Sequence, residues 1–199
     1  EDVLQVIESQ EKIAVSPCVC RTTAHLVGKG CDKLQDNCFS FGSHAEYYVE
    51  NGMGHYITID EAKAIVKKNE EDGLVMQPFN SRKIGGMCSC CGDCCGVLRS
   101  LKMHPTPAKM VQSNYFARVD EAECTGCETC LDRCPIEAID VTDGIAAIDL
   151  ERCIGCGLCV TTCPTEAIEL IKKPEDQLYE PPRTGVETYI RIMQERGKI

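Results

Sequence analysis

One stretch of sixteen residues occurs twice. CTGCETCLDRCPIEAI runs from Cys124 to Ile139, and CIGCGLCVTTCPTEAI runs from Cys153 to Ile168, 29 residues later. Nine of the sixteen positions are identical. Each copy carries four cysteines spaced C-x2-C-x2-C-x3-C, followed at once by proline. A short duplication of this kind predicts two like halves around a pseudo-twofold axis. The chain must also find a use for eight thiols within 45 residues, and that requirement restricts its fold more than any hydropathy pattern does.

Thiols at this density are either paired as disulfides or held on metal. Disulfide frameworks are short and secreted, with even cysteine counts. This chain has 199 residues and 17 cysteines. Its start carries no secretory pattern, so a reducing cytoplasm is the expected setting. No apolar run approaches ~20 residues, so no membrane-spanning helix is expected. Only 5% of residues are aromatic, which leaves little for an ordinary core. Metal–thiolate bonds supply the missing folding energy. The formal charge of −10 opposes binding to nucleic acid and favours a partner with a basic docking face.

The spacing selects the metal. Three cysteines at i, i+3 and i+6 wrap a loop around one 4Fe-4S cubane, and the fourth reaches the other cluster. Cys124, Cys127, Cys130 and Cys163 are therefore expected to hold one cluster, and Cys153, Cys156, Cys159 and Cys134 the second. Gly126 and Gly155 let the backbone approach the sulfides. Pro135 and Pro164 suit the first turn of short helices starting at the fourth cysteines. Zinc sites place two CxxC pairs further apart, so zinc fits this run poorly. Residues 115–171 thus resemble a bacterial two-cluster ferredoxin. YFARVD and AAIDLER are expected as the strands before the loops, and the Ala-Ile pairs at 138–139 and 167–168 as core. Each oxidised cluster with its thiolates carries a charge of about −2, which favours low reduction potentials.

The first hundred residues hold the other nine cysteines: Cys18, Cys20, Cys31, Cys38, Cys88, Cys90, Cys91, Cys94 and Cys95. They are candidate ligands for one or two further iron–sulfur clusters, for zinc, or for none. Cys18 and Cys20, at i and i+2, face the same side if their segment is extended. Cys88, Cys91 and Cys94 repeat the C-x2-C-x2-C triplet without a following x3 cysteine, so a fourth ligand has to come from elsewhere. EDVLQVIESQ predicts a short helix and IAVSP a strand. DEAKAIVKKNEED predicts a helix, with Thr58 and Glu61 as its capping box and Gly73 as its end. GLVMQPFN is expected to return the chain toward the opening stretch. His25 reads as an ordinary polar residue. Met53, Met76, Met87, Met103 and Met110 read as packing. Arg21 and Arg99, beside cysteines, either offset cluster charge or are solvated.

Taken with PCVCR, GKGCDKLQDNCFSFG and CSCCGDCCGVLR, most of the chain resembles ferredoxin-domain iron–sulfur electron-transfer subunits of anaerobic bacteria. The resemblance implies that the front cysteines also bind clusters. It implies an electron carrier serving a larger oxidoreductase complex, not an enzyme in itself. Two alternatives stand beside it. One is a catalytic front cluster like that of heterodisulfide reductases, suggested by the CCG motifs at Cys90–Gly92 and Cys94–Gly96. The other is a zinc-stabilised structural front. The expected architecture is α+β: a cysteine-rich α/β metal-binding domain (1–112), a pseudo-twofold dicluster ferredoxin-like domain (113–171), and a Pro-rich linker with a C-terminal helix (172–199). Val186, Tyr189, Ile190 and Met193 fall on one face of that helix, which either packs back or docks on a partner.

Overall fold

The computed structural model describes residues 2–199, a mixture of helices and strands. The chain forms two compact units, one made of the residues up to Cys90 together with Glu180–Ile199, the other of Cys91–Tyr179. Packing thus divides the chain elsewhere than the boundaries drawn from motifs and composition at 112/113 and 171/172.

The first unit is built on a five-stranded antiparallel sheet in the order β3-β1-β2-β5-β4. Its elements are α1 (Val3–Glu8), β1 (Ile13–Pro17), α2 (Val19–Leu26), β2 (Asp36–Phe41), α3 (Ser43–Glu50), β3 (His55–Ile57), α4 (Ile59–Glu71), β4 (Val75–Pro78) and β5 (Gly86–Cys90). Alternation along the strands sends Ile13, Phe39, Phe41 and Met87 to one face, where they pack with Ile7 of α1 and with Ala62 and Val66 of α4. Thr58 and Glu61 close the expected capping box, and Gly73 ends α4 in the left-handed region at φ 71°. GLVMQPFN does not return to the opening strand. It forms the edge strand β4, which pairs with β5, so that β2 and β5 separate it from β1.

CVCR departs from the extended reading. Cys18 keeps extended backbone but is the N-cap of α2, and Cys20 already lies in the helix. Residues on a helix turn by about 100° each, so these two thiols do not share a side. The i, i+2 geometry belongs instead to Cys88 and Cys90 on β5. Arg21, read as solvated or as a charge offset, is fully buried, whereas Arg99 is exposed. A polar network surrounds Arg21: Asn37 donates to Asn69 Oδ1 (3.0 Å), Asn69 to Ser89 Oγ (2.9 Å), and Ser89 to the Asn37 carbonyl (2.8 Å). Of the methionines, Met87 is buried and Met76 packs on the core. Met53, Met103 and Met110 are exposed and do not pack as expected.

The second unit opens with α5 (Gly96–Met103) and continues with β6 (Tyr115–Val119), α6 (Thr129–Arg133), β7 (Ile139–Thr142), β8 (Ile145–Ile148) and β9 (Ile168–Lys172). β6 pairs antiparallel with β9, Tyr115 opposite Lys172 through Val119 opposite Ile168. β7 pairs with β8, Ile139 opposite Ile148 through Thr142 opposite Ile145. Exchanging the two sequence copies maps one pair onto the other, so the pairing is itself twofold. Ala138, Ile139, Ala167 and Ile168 are buried, in the core positions expected of them. That core is small and sulfur-rich: Ala117, Ile139, Ala146 and Ile168 pack with Cys130 and Cys159.

The tail from Glu180 onward belongs to the first unit. Arg82 and Lys83 amides donate to the Pro182 and Arg183 carbonyls (2.8 and 3.0 Å), and Thr188 Oγ1 donates to the Asn80 carbonyl (2.7 Å). α7 (Gly185–Glu195) follows, with Thr184 as its N-cap. Its backbone is thus anchored, while Val186 and Tyr189 stay about seven-tenths exposed (70% and 72%). No helix among the described residues is long and apolar enough to cross a membrane.

Phe41, 2% exposed, anchors the first unit's core beside Phe39, with ring centroids 6.3 Å apart. Phe41→Ala is expected to destabilise that unit by about 3–5 kcal/mol, read as a lower denaturant midpoint at unchanged slope.

Candidate metal centres

Two cysteine-lined hollows occupy the second unit. One, about 330 Å³ to its open mouth, is lined by Cys124, Cys127 and Cys130 of the first copy and by Cys163 of the second. The other, about 350 Å³, is lined by Cys153, Cys156 and Cys159 of the second copy and by Cys134 of the first. The structure therefore brings together the two sets of four that the spacing groups, each with its fourth member crossed over.

The crossing has a local cause. Short helices were expected to begin at Pro135 and Pro164, but none does. Cys134 caps the C-terminus of α6, and a tight turn follows at both prolines. Glu137 and Glu166 sit at equivalent places in these turns, at φ 53° and 55°. A left-handed residue stops helix growth after one turn and sends the chain into β7 or β9. Gly126 (φ 64°) and Gly155 (φ 66°) shape the loops upstream. A Cβ on Gly126 would lie 2.3 Å from the Gly144 carbonyl oxygen, and one on Gly155 2.1 Å from that of Tyr115. Only glycine fits either position.

The sulfurs sit in a field that anticipates negative charge. Ala138 N–H donates to Cys134 Sγ (3.2 Å) and Ala146 N–H to Cys124 Sγ (3.4 Å). Cys127 Sγ lies 3.4 Å from Thr129 Oγ1, and Cys163 Sγ 3.7 Å from Thr165 Oγ1. The Thr129 hydrogen bonds pull the Cys127 thiol down from its ordinary range. Burial opposes ionisation of Cys163, yet the Thr165 hydroxyl and neighbouring amides bring it below that range. In the other set, burial pushes Cys156 up to about 11 and Cys159 up to about 12, with Cys134 and Cys153 repelling both. Burial likewise raises Cys130, helped by Cys127, Cys124 and Cys163. Four thiols this close do not all ionise by themselves, whereas bound metal deprotonates them outright. Soft thiolate donors in fours, close glycine loops and amides aimed at sulfur fit an iron–sulfur cubane in each hollow.

The other nine cysteines divide between the units, and CSCCGDCC straddles the division. Cys18, Cys38, Cys88 and Cys90 gather in the first unit, where Cys38 hydrogen-bonds with both Cys18 and Cys88, and Cys88 with Cys90. Cys20 lies in α2, and the Cys31 carbonyl lies 3.1 Å from His25 Nε2. Cys91, Cys94 and Cys95 begin the second unit and are all buried. The Cys91 and Cys94 sulfurs lie within 4.8 Å of each other, the Cys94 amide donates to Cys91 Sγ (3.4 Å), and Cys95 is the N-cap of α5. A Cβ on Gly92 would lie 3.0 Å from the Pro135 carbonyl oxygen, so this turn sits against the residue after Cys134. Arg152 fastens the same region: its guanidinium donates to the Lys102, His104, Ile136 and Glu137 carbonyls. Sequence reasoning passed over Arg152, which lies in no recognisable motif.

Residues 116–164 match the 4Fe-4S dicluster domain family. That span is a ferredoxin-type domain. No curated protein matches the chain.

Gly155→Ala is expected to reduce iron and acid-labile sulfide per chain by about half, because one of two hollows loses its loop. Gly185→Ala, whose Cβ meets nothing, serves as the control and leaves both unchanged.

Proposed function

We propose that this chain is an iron–sulfur electron-transfer protein, the relay subunit of a larger anaerobic redox complex in the cytoplasm, and that it converts no substrate of its own. Bound 4Fe-4S clusters supply reversible one-electron chemistry. Cys124, Cys127, Cys130 and Cys163 would hold one, and Cys153, Cys156, Cys159 and Cys134 the other. The observation that carries this reading is the pair of hollows with their exchanged fourth cysteines. Both border one core, so the electron passes through a few packed side chains and no group has to move.

The residues set the two centres apart. Cys127 is exposed, and the Thr129 and Thr165 hydroxyls reach sulfurs of its set. Hydrogen bonds and solvent both favour the extra electron's charge. Cys156 and Cys159, whose ionisation burial opposes, line the other hollow. On these hydroxyl contacts and the exposure of Cys127, the set containing Cys127 has the higher potential, and Cys127 is where a docking partner would reach it. The acidic balance of the chain suits a partner with a basic face.

The test is a redox titration of protein purified without oxygen, followed by EPR. Two low-potential one-electron centres of unequal potential are expected, and protein free of iron would sink the reading. Thr129→Val should lower the potential of the more positive centre alone, by on the order of 20 mV, since one weak hydrogen bond to sulfur is lost. Equal shifts in both centres would contradict the assignment of Cys127.

A further inference from the structure

The two sequence copies set the same backbone frame ahead of each cysteine loop. Asp120 and Asp149 stand at equivalent positions, 29 residues apart. Their carbonyls accept the amide of the loop's first cysteine, Cys124 to Asp120 at 3.1 Å and Cys153 to Asp149 at 2.8 Å. Their own amides donate to the turn of the other copy, Asp120 to the Ala167 carbonyl (2.7 Å) and Asp149 to the Ala138 carbonyl (2.9 Å). Their carboxylates accept the amide two residues on, from Ala122 (3.0 Å) and from Glu151 (2.8 Å). The backbone thus treats the two hollows alike, and side chains decide where they differ.

The copies part at the residue before the first cysteine, which is Glu123 in one and Arg152 in the other. The Arg152 guanidinium reaches the carbonyls of Ile136 (2.7 Å), Glu137 (3.0 Å), Lys102 (3.0 Å) and His104 (3.2 Å). Ile136 and Glu137 belong to the turn that follows Cys134. The fork therefore joins the Cys153 loop to the turn carrying Cys134, and both of these cysteines line one hollow. Ile136 is buried, so its carbonyl depends on a protein donor. Lys102 and His104 lie at the C-terminal end of α5, where carbonyls lack helical partners and a cation is favoured. Glu123 cannot serve the other hollow in this way, because a carboxylate only accepts. It is exposed, and so are Pro164 and Glu166 in the turn after Cys163. That turn is open to water.

We propose that Arg152 is a positioning residue that makes the two cluster sites unequal in hold: it locks Cys134 and Cys153 into one pre-formed hollow, which keeps its cluster after the Cys124 set has released its own. The inference rests on the dicluster reading and deepens it. Ligands already fixed in place cost less to gather and depart less readily. Without a fork behind it, the Cys163 turn is free to carry its sulfur away first. The planar guanidinium is essential here, because a lysine ammonium is a point charge and cannot span carbonyls from two segments in the same way.

The experiment exposes the full chain, purified without oxygen, to an iron chelator and follows the dicluster EPR signals in reduced samples taken over time. Wild type is expected to lose the pair in two phases of about equal size, since each cubane holds four irons. Arg152→Gln should speed the slow phase at least tenfold and leave the fast phase unchanged. Arg152→Lys keeps the charge without the fork and should release its cluster as fast as Arg152→Gln. Glu123→Gln should change neither phase. A single phase in wild type overturns the proposal, as does equal acceleration of both phases in Arg152→Gln or full recovery in Arg152→Lys. If the Arg152 variants fail to accumulate, the identity of the first centre lost decides. It must be the one whose potential Thr129→Val lowers, and prior loss of the other centre overturns the proposal. Wild-type protein without iron would remove the dicluster reading and this inference together, whereas two centres released alike would remove this inference alone.

Discussion

Cys134 and Cys163 each leave their own loop and line the hollow ringed by the other copy's cysteines. Much of the second unit follows from that exchange. Neither copy completes a set of four thiols alone, so the halves fold only together. The strands on either side of each loop are drawn into reciprocal pairs, β6 with β9 and β7 with β8. The core between them needs few apolar residues, because sulfur fills part of it. In a chain with so few aromatics, metal–thiolate bonds can replace the burial that a conventional core supplies.

Charge is the second constraint. The chain is already acidic, and each cluster adds about −2 with its thiolates. The second unit answers with dipoles, namely the amides of Ala138 and Ala146 and the hydroxyls of Thr129 and Thr165 near sulfur. Dipoles stabilise an anionic centre without cancelling its charge, which suits a low-potential carrier. The first unit instead buries a whole cation, Arg21, among neutral oxygens.

Their construction differs as well. In the second unit, ligands are gathered by loop spacing, with glycine where the backbone crowds the hollow and left-handed glutamates where the turn must end. In the first, strand register makes neighbours across a sheet of cysteines 20 to 50 positions apart. The Cys91–Cys94 turn lies between these styles: it begins the second unit and packs against Pro135, beside one of the crossed cysteines.

Local signals were legible in the sequence. The duplicated spacing grouped the eight cysteines that the structure brings together, and the Thr58–Glu61 box and Gly73 bounded α4, because caps, turns and short-range ligand loops depend on residues a few positions apart. Non-local outcomes were not legible. An extended CVCR became a helix N-terminus, the prolines introduced turns in place of helices, and GLVMQPFN became a far edge strand. The sequence by itself determined that this protein carries paired cubane-type cysteine sets, since spacing within a loop decides which thiols can converge. Only the tertiary structure decided which of the other cysteines meet, and that Arg21 lies buried beside them, because strand register and burial are settled by the packing of the whole sheet.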